Sequence, residues 1–387
     1  MSTLNLSRFS QPDCLKAVDP RRLLTFLHPH RAFLAGRGCL LPKNVAQPAD
    51  LNYQEIATTL MAPGNDTPRL LIDDLYFLHE MATDEGMDAL LSRTTAAGLA
   101  LDLGEHPSPM DVALQVCLLD RELLVRTHAE QLIYRPRSFE YYQSKNISHS
   151  LNALTEPQRL VGLETDLEQW FASRKRGRDV KVFASINHQA IGYLVRHGEP
   201  YRREGCLDKG ESSSVFYRPE RHDVVIYDLQ TGELRINAST RQDKATYRQL
   251  FGRHLFDDEE HFPGTAKYTL EPLRNDAEAA LVCADVPGME WVRLRELQIF
   301  WGGAYNEVEI RRASDLVGAL QAHDRSIPAV GRLILATFDV KFVDSRAPRT
   351  VKIRPSNIAQ YTRDSDGELV DEWLSQRGFV LPATHDS

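Results

Sequence analysis

Asp223-Val224-Val225-Ile226-Tyr227-Asp228-Leu229-Gln230-Thr231-Gly232-Glu233-Leu234-Arg235-Ile236-Asn237 reads as two strands around a turn. Val, Ile and Tyr favour a pleated surface, and Gly232 supplies the turn. A helix is expected directly after it, from Asp243 to His254, with Tyr247, Leu250 and Phe251 on one face. Strand, turn, strand and helix in this order predict a mainly antiparallel sheet backed by helices.

The period-2 pattern extends outward from this hairpin. On its N-terminal side, Val180–Phe183, Ala190–Val195, Tyr201–Arg203 and Ser213–Tyr217 are expected strands, with His197-Gly198-Glu199-Pro200 as a hairpin tip. On its C-terminal side, Leu281–Cys283, Val292–Arg295, Leu297–Phe300 and Glu307–Arg311 are further strands. Leu333–Val343 and Thr350–Ile353 make a second hairpin, and a helix over 366–377 ends the fold. Upstream the period is helical. Asp19-Pro20 and Ser108-Pro109 each place a capping side chain before an N1 proline. Leu160, Leu163, Leu167, Trp170 and Phe171 line one face of another helix. The expected class is α+β: a loose arm over 1–20, an α-helical domain over 21–150, a connecting helix and basic run over 151–178, and a mostly antiparallel α+β domain with a C-terminal helix over 179–387. Long β-α-β alternation is absent, which disfavours doubly wound and barrel folds.

Composition bounds the function. The chain has 387 residues, 42% hydrophobic and 26% charged, enough to bury large cores. Its five cysteines form no CxxC pair, which excludes a zinc-ribbon spacing and fits a reducing, cytoplasmic setting. No apolar run reaches the roughly eighteen residues of a membrane helix, so no membrane partner is expected. The net charge of −8 argues against a protein that coats nucleic acid along its whole surface. Walker A, GxGxxG, HExxH and Gly-x-Ser-x-Gly motifs are missing.

Three clusters could carry chemistry. Leu194-Val195-Arg196-His197-Gly198-Glu199 resembles the signature of the histidine phosphatase superfamily. That resemblance implies His197 as a phosphate-accepting nucleophile and Arg196 as the group gripping the phosphate. It stops at Glu199: the family's second His-Gly pair has no counterpart downstream, and the sequence that follows is not alternating α/β. The stretch from Pro219 to Lys244 resembles the core of PD-(D/E)xK nucleases, which implies Asp223, with Glu233 as a second carboxylate, gathering Mg²⁺. Here Glu233-Leu234-Arg235 gives Glu-x-Arg, and alignment by hydrophobic pattern leaves the acidic slot on Asn237 to Ser239 without a carboxylate. No other cofactor is expected. His254, Asp257 and His261 put metal-ligand types close together in a charged loop.

Against the acidic background, positive residues concentrate between 174 and 221: Arg174, Lys175, Arg176, Arg178, Arg196, Arg202, Arg203 and Arg218 among them, interleaved with Tyr201, Phe216 and Tyr217. Basic groups beside aromatics can track a phosphate backbone and stack bases. The same residues could instead pair with Glu199, Glu204 and Glu211 across strands, and a basic last helical turn suits the helix dipole. The expectation from these patterns is an accessory or interaction protein without catalytic activity. Its helical domain would bind a protein partner, and its basic α+β face would contact DNA, RNA or another subunit.

Overall fold

Asp19 and Ser108 start helices as their spacing predicts. In the computed structural model, which describes residues 5–43, 51–64, 66–104, 107–147, 151–187, 189–208, 210–363 and 366–382, the Asp19 carboxylate accepts from the amides of Arg21 and Arg22 at the head of helix Pro20–Leu27. Ser108 Oγ accepts from the Asp111 amide, 3.1 Å away, at the head of Pro109–Leu119. Capping leaves fewer orphan amides and fixes where each helix begins.

The chain divides into two units, Met1–Gln131 and Leu132–Ser387. The first is helical. Helix Pro109–Leu119 is buried along most of its length, so it forms the centre of this unit's core rather than one wall of it. Asp111 ties the core to its neighbours by accepting from Arg22 (2.5 Å) and from the Asp19 amide (3.0 Å). Residues 5–18 were expected to be a loose arm. They are not: Leu6, Phe9, Leu15 and Val18 are buried in this core, Phe9 and Leu15 from two short helical turns, Ser7–Ser10 and Pro12–Lys16, and Leu6 and Val18 from the residues flanking them.

The second unit is α+β. Its strands are β1 (Ser138–Gln143), β2 (Lys181–Ile186), β3 (Ala190–Gly198), β4 (Arg202–Asp208), β5 (Glu211–Tyr217), β6 (Glu220–Asp228), β7 (Glu233–Asn237), β8 (Met289–Gly302), β9 (Glu307–Arg312), β10 (Arg332–Phe342), β11 (Arg349–Arg354) and β12 (Ile358–Gln360). Ten of them form one antiparallel sheet in the order β2-β3-β6-β7-β1-β12-β11-β10-β8-β9. The β6–β7 hairpin is the one read from the sequence. Its turn is held by Asp228, whose carboxylate accepts from the amides of Gln230 and Thr231, and by Gly232 at φ 68°.

The helical expectation over 21–150 is corrected at β1. This strand sits at the middle of the sheet, between β7 and β12, with Tyr141 opposite Arg235 and Phe139 opposite Ala359. The expected hairpin tip at His197–Pro200 is also corrected. β3 runs on through Gly198, paired with Glu220 of β6. The chain then leaves the sheet as a separate two-stranded ribbon, β4–β5, paired from Arg202↔Tyr217 to Asp208↔Glu211. Leu281–Cys283, expected as a strand, is not one: Leu281 ends a short 3-10 turn, Ala279–Leu281, and the next two residues are irregular.

Side chains alternate across the sheet; β3 and β6 are buried on both faces, and the helices that follow pack on opposite faces of the two halves. Over β2, β3, β6 and β7, helices Pro157–Ser173 and Arg241–Phe256 bury Val182, Tyr193, Val195, Val225, Tyr227, Leu234 and Ile236. Over β8, β10 and β11 the buried set is Leu294, Phe338, Val351 and Ile353, on the other face by register. The helix Gly367–Gln376 covers it, with the Trp373 ring edge-on to Phe338 at 5.2 Å. The face left open in this half carries Lys352 and Thr350 of β11 and Gln360 of β12, all exposed.

Candidate nucleic-acid interface

The basic residues separate into structural and exposed groups. Arg176 is absorbed: it donates to Asp243 (3.0 Å), whose other carboxylate oxygen accepts from Trp170 Nε1 (3.0 Å). Burial would raise the Asp243 carboxyl, but hydrogen bonds from Trp170 and Thr240 and the Arg176 charge hold it below the usual range. Arg218 is absorbed too, donating to the carbonyls of Lys175 (2.7 Å) and Glu199 (2.9 Å) and clamping two segments together. The approach is tight, since a Cβ on Gly198 would stand 2.4 Å from Arg218 Cδ. Arg174 lies over the Trp170 ring, 3.1 Å from its centroid, and Arg196 over Phe183.

Lys175, Arg178, Arg202 and Arg203 remain exposed. Lys175 and Arg178 line a cleft of about 460 Å³ with Pro200, Tyr201 and Arg218. This cleft lies at the base of the β4–β5 ribbon. Along the ribbon and its approach most side chains face solvent, including Tyr201 (68% exposed), Phe216 (67%) and Leu207 (78%). Arg203 lies opposite Phe216 in register and 6.0 Å from its ring centroid, while Arg202 pairs with Glu199. Arg218 stacks on Tyr201 at 4.4 Å.

The two enzyme resemblances do not assemble into sites. Arg196 and His197 are successive residues of β3 and point to opposite faces, so they do not grip one phosphate. His197 is buried, with its ring stacked on Phe171 (4.1 Å, 9°) and Nε2 3.1 Å from Asp223 Oδ2. Asp223 also accepts from the Tyr247 hydroxyl (3.0 Å) and is 1% exposed, which leaves no opening for an attacking water. Glu233 is on the face opposite Asp223: Tyr227, on the Asp223 face, pairs with Leu234, and Glu233 alternates with it. The two carboxylates cannot share an ion.

The third cluster is likewise dispersed. His254 bonds Asp166 (2.8 Å), Asp257 accepts from Arg159 (3.1 Å), and His261 stacks on Phe256 (4.1 Å). Among the described residues no three His, Cys, Asp or Glu side chains are grouped to hold a metal ion. His261 instead makes a pH prediction with His79 and His222. Burial is the first cause holding each imidazole below its usual value of 6.5. Below pH 6.5 the unfolded chain protonates these rings while the folded chain still refuses the proton. Stability is therefore full above pH 6.5 and declines as pH falls toward the depressed folded values. Urea unfolding at pH 7.5 and 5.5 is expected to show this loss, and His261→Leu is expected to reduce it.

A polar concentration that the sequence reading missed lies at the sheet centre. Tyr141, Tyr268 and Tyr361 are buried together. Arg363 donates to the Tyr141 hydroxyl, and Tyr361 donates to Asp371. Lys267 lies 4.0 Å from the Tyr141 ring centroid and donates to Glu233 (2.6 Å), which also accepts from Arg235. Three cations, Lys267, Arg235 and Arg363, meet three carboxylates, Glu233, Asp228 and Asp371, so the cluster is internally neutralised. Burial pushes the Tyr268 and Tyr361 phenols well above their usual range, which keeps them protonated. The arrangement pins β1 to its neighbours and presents no uncompensated charge to a ligand.

No family model matches this chain, and no curated protein matches it significantly. Among the described residues no helix is long and apolar enough to cross a membrane.

Proposed function

We propose that this chain is a nucleic-acid-binding accessory protein of a reducing, cytoplasmic setting. Its contact surface is the β4–β5 ribbon together with the basic cleft at the ribbon's base. The observation that carries the reading is the exposed pairing of Arg203 with Phe216 on a ribbon that stands outside the main sheet. Lys175 and Arg178 would neutralise backbone phosphates, and Tyr201 and Phe216 would offer rings for bases. A two-stranded ribbon also has the width to enter a major groove. The helical unit is left for a protein partner under the same proposal: Leu70 on helix Arg69–Met81 and Leu119 at the end of helix Pro109–Leu119 are both exposed.

Fluorescence anisotropy with labelled single-stranded and duplex oligonucleotides tests this. Binding is expected to weaken steeply between 50 and 200 mM salt, by powers of ten if several phosphates are contacted. Lys175→Ala with Arg178→Ala is expected to lower the salt slope by about two. Arg203→Ala with Phe216→Ala should weaken single-strand binding at least about fivefold, since one stacked base is worth roughly 1–3 kcal/mol. Absence of binding at low salt, or affinities indifferent to both pairs of substitutions, would overturn the proposal.

A further inference from the structure

The open face of the other half of the sheet holds a second cleft, of about 550 Å³, and the geometry points to a phosphate-bearing ligand there. This inference stands without the ribbon reading. Arg137, Arg349, Thr350, Lys352, Gln360 and Thr362 line the cleft, and none of the residues lining it is acidic. That is against the composition of the chain, in which 54 acidic residues outnumber 46 basic ones.

The cleft is built by register. Lys352 of β11 faces Gln360 of β12, and Gln360 faces Ser138 of β1, so one rung crosses three strands on the uncovered face. Thr350 lies two residues from Lys352 along β11 and therefore on the same face, and Thr362, just beyond β12, lines the cleft with it. Arg137 directly precedes β1. Its main chain is fixed, because its carbonyl accepts from the Tyr361 amide (2.9 Å) and from Arg363 (2.8 Å). Arg349 is held at the border of the cleft by Asp366 (2.8 Å). Two carboxylates border this face and each is already bound: Glu296, which feels the Lys352 charge, by Arg312 (2.7 Å), and Asp339, opposite Thr350, by Arg295 (2.9 Å).

The chemistry follows from this donor set. Two exposed cations, Arg137 and Lys352, can neutralise a dianionic phosphoryl group, and guanidinium matches its oxygens in a bidentate fork. The threonine hydroxyls and the Gln360 amide add neutral donors. The volume exceeds one phosphate and accommodates a nucleotide or a short run of backbone. The polar lining offers little to an apolar ligand. The phosphate could belong to a nucleic acid or to a free nucleotide, and the experiment separates them.

The full chain and the variant Arg137→Glu/Lys352→Glu are titrated with a labelled oligonucleotide by anisotropy and with ATP by calorimetry. Both positions are exposed, and coincident thermal melts confirm folding. Lys352→Arg, which keeps the charge, should bind as wild type does. An oligonucleotide affinity reduced at least about tenfold, with a salt slope lower by about two, assigns the site to backbone phosphate. An ATP affinity reduced by the same factor, with oligonucleotide binding intact, assigns it to a free nucleotide. Wild-type protein that binds neither probe, or a variant that binds both as wild type does, overturns the inference. A loss confined to Arg137→Glu/Lys352→Glu, with the ribbon substitutions silent, would retire the ribbon reading and keep this one.

Discussion

Asp223→Ala is expected to cost about 3–5 kcal/mol of stability, lowering the melting temperature of this unit by about 10 °C. The carboxylate is the meeting point of a closed network. It faces His197 Nε2 and accepts from the Tyr247 hydroxyl, and all three side chains are buried. Truncation leaves an imidazole nitrogen and a phenol without partners in a space sealed by Phe171 and Phe251, which water cannot readily re-solvate. Asp223→Asn retains a carbonyl acceptor for Tyr247 and should lose less than half as much. Tyr247→Phe removes one hydrogen bond with nearly unchanged shape and should cost only about 1 kcal/mol. Urea denaturation of the three variants gives the ranking. A loss below about 1 kcal/mol for Asp223→Ala would mean that the network is not closed as described.

Trp373→Ala is expected to be comparably severe, at about 3–5 kcal/mol. Its indole is fully buried against Phe338 and Phe379 at 5.2 and 5.3 Å, and its Nε1 donates to the Val282 carbonyl at 3.2 Å. The substitution opens a cavity between the C-terminal helix and β10 and orphans a carbonyl. Trp373→Phe keeps most of the apolar contact and should cost less than about 2 kcal/mol. If Trp373→Ala unfolds at the wild-type urea midpoint, the helix Gly367–Gln376 does not anchor this half of the sheet.

These two residues also show what the sequence could disclose. The helix carrying Trp373 was legible because its pattern repeats locally, and the β6–β7 hairpin was legible because its strands are joined by one short turn. Asp19 and Ser108 declared their helices through side chains within three residues of the amides they cap. β1 was hidden. Its six residues sit among helices, and its partners are β7 and β12, about a hundred and about two hundred positions downstream. Nothing within Ser138–Gln143 announces them. The strings Arg196-His197 and Asp223…Glu233 suggested sites because sequence proximity was taken for spatial convergence, whereas strand alternation sends the members of each pair to opposite faces. The basic run divided on a similar ground. Arg176 and Arg218 look like Lys175 and Arg178 in one dimension, but the first two turn inward to Asp243 and to main-chain carbonyls. The cleft at Arg137 and Lys352 was illegible because it joins segments more than two hundred residues apart.

The position of β1 has a consequence for how this chain is made. Its β7 edge finds a partner soon after synthesis passes residue 237, but its other edge must wait for β12, near residue 360. Through the synthesis of roughly a hundred and twenty residues, the middle of the future sheet is an open strand edge offering unpaired amides and carbonyls. Such a long-range closure is slow, and it exposes the nascent chain to pairing with other chains. A chain ending before residue 358 would keep that edge permanently. It should accumulate as aggregate rather than as a smaller folded protein, although the hairpin and helices preceding it are complete.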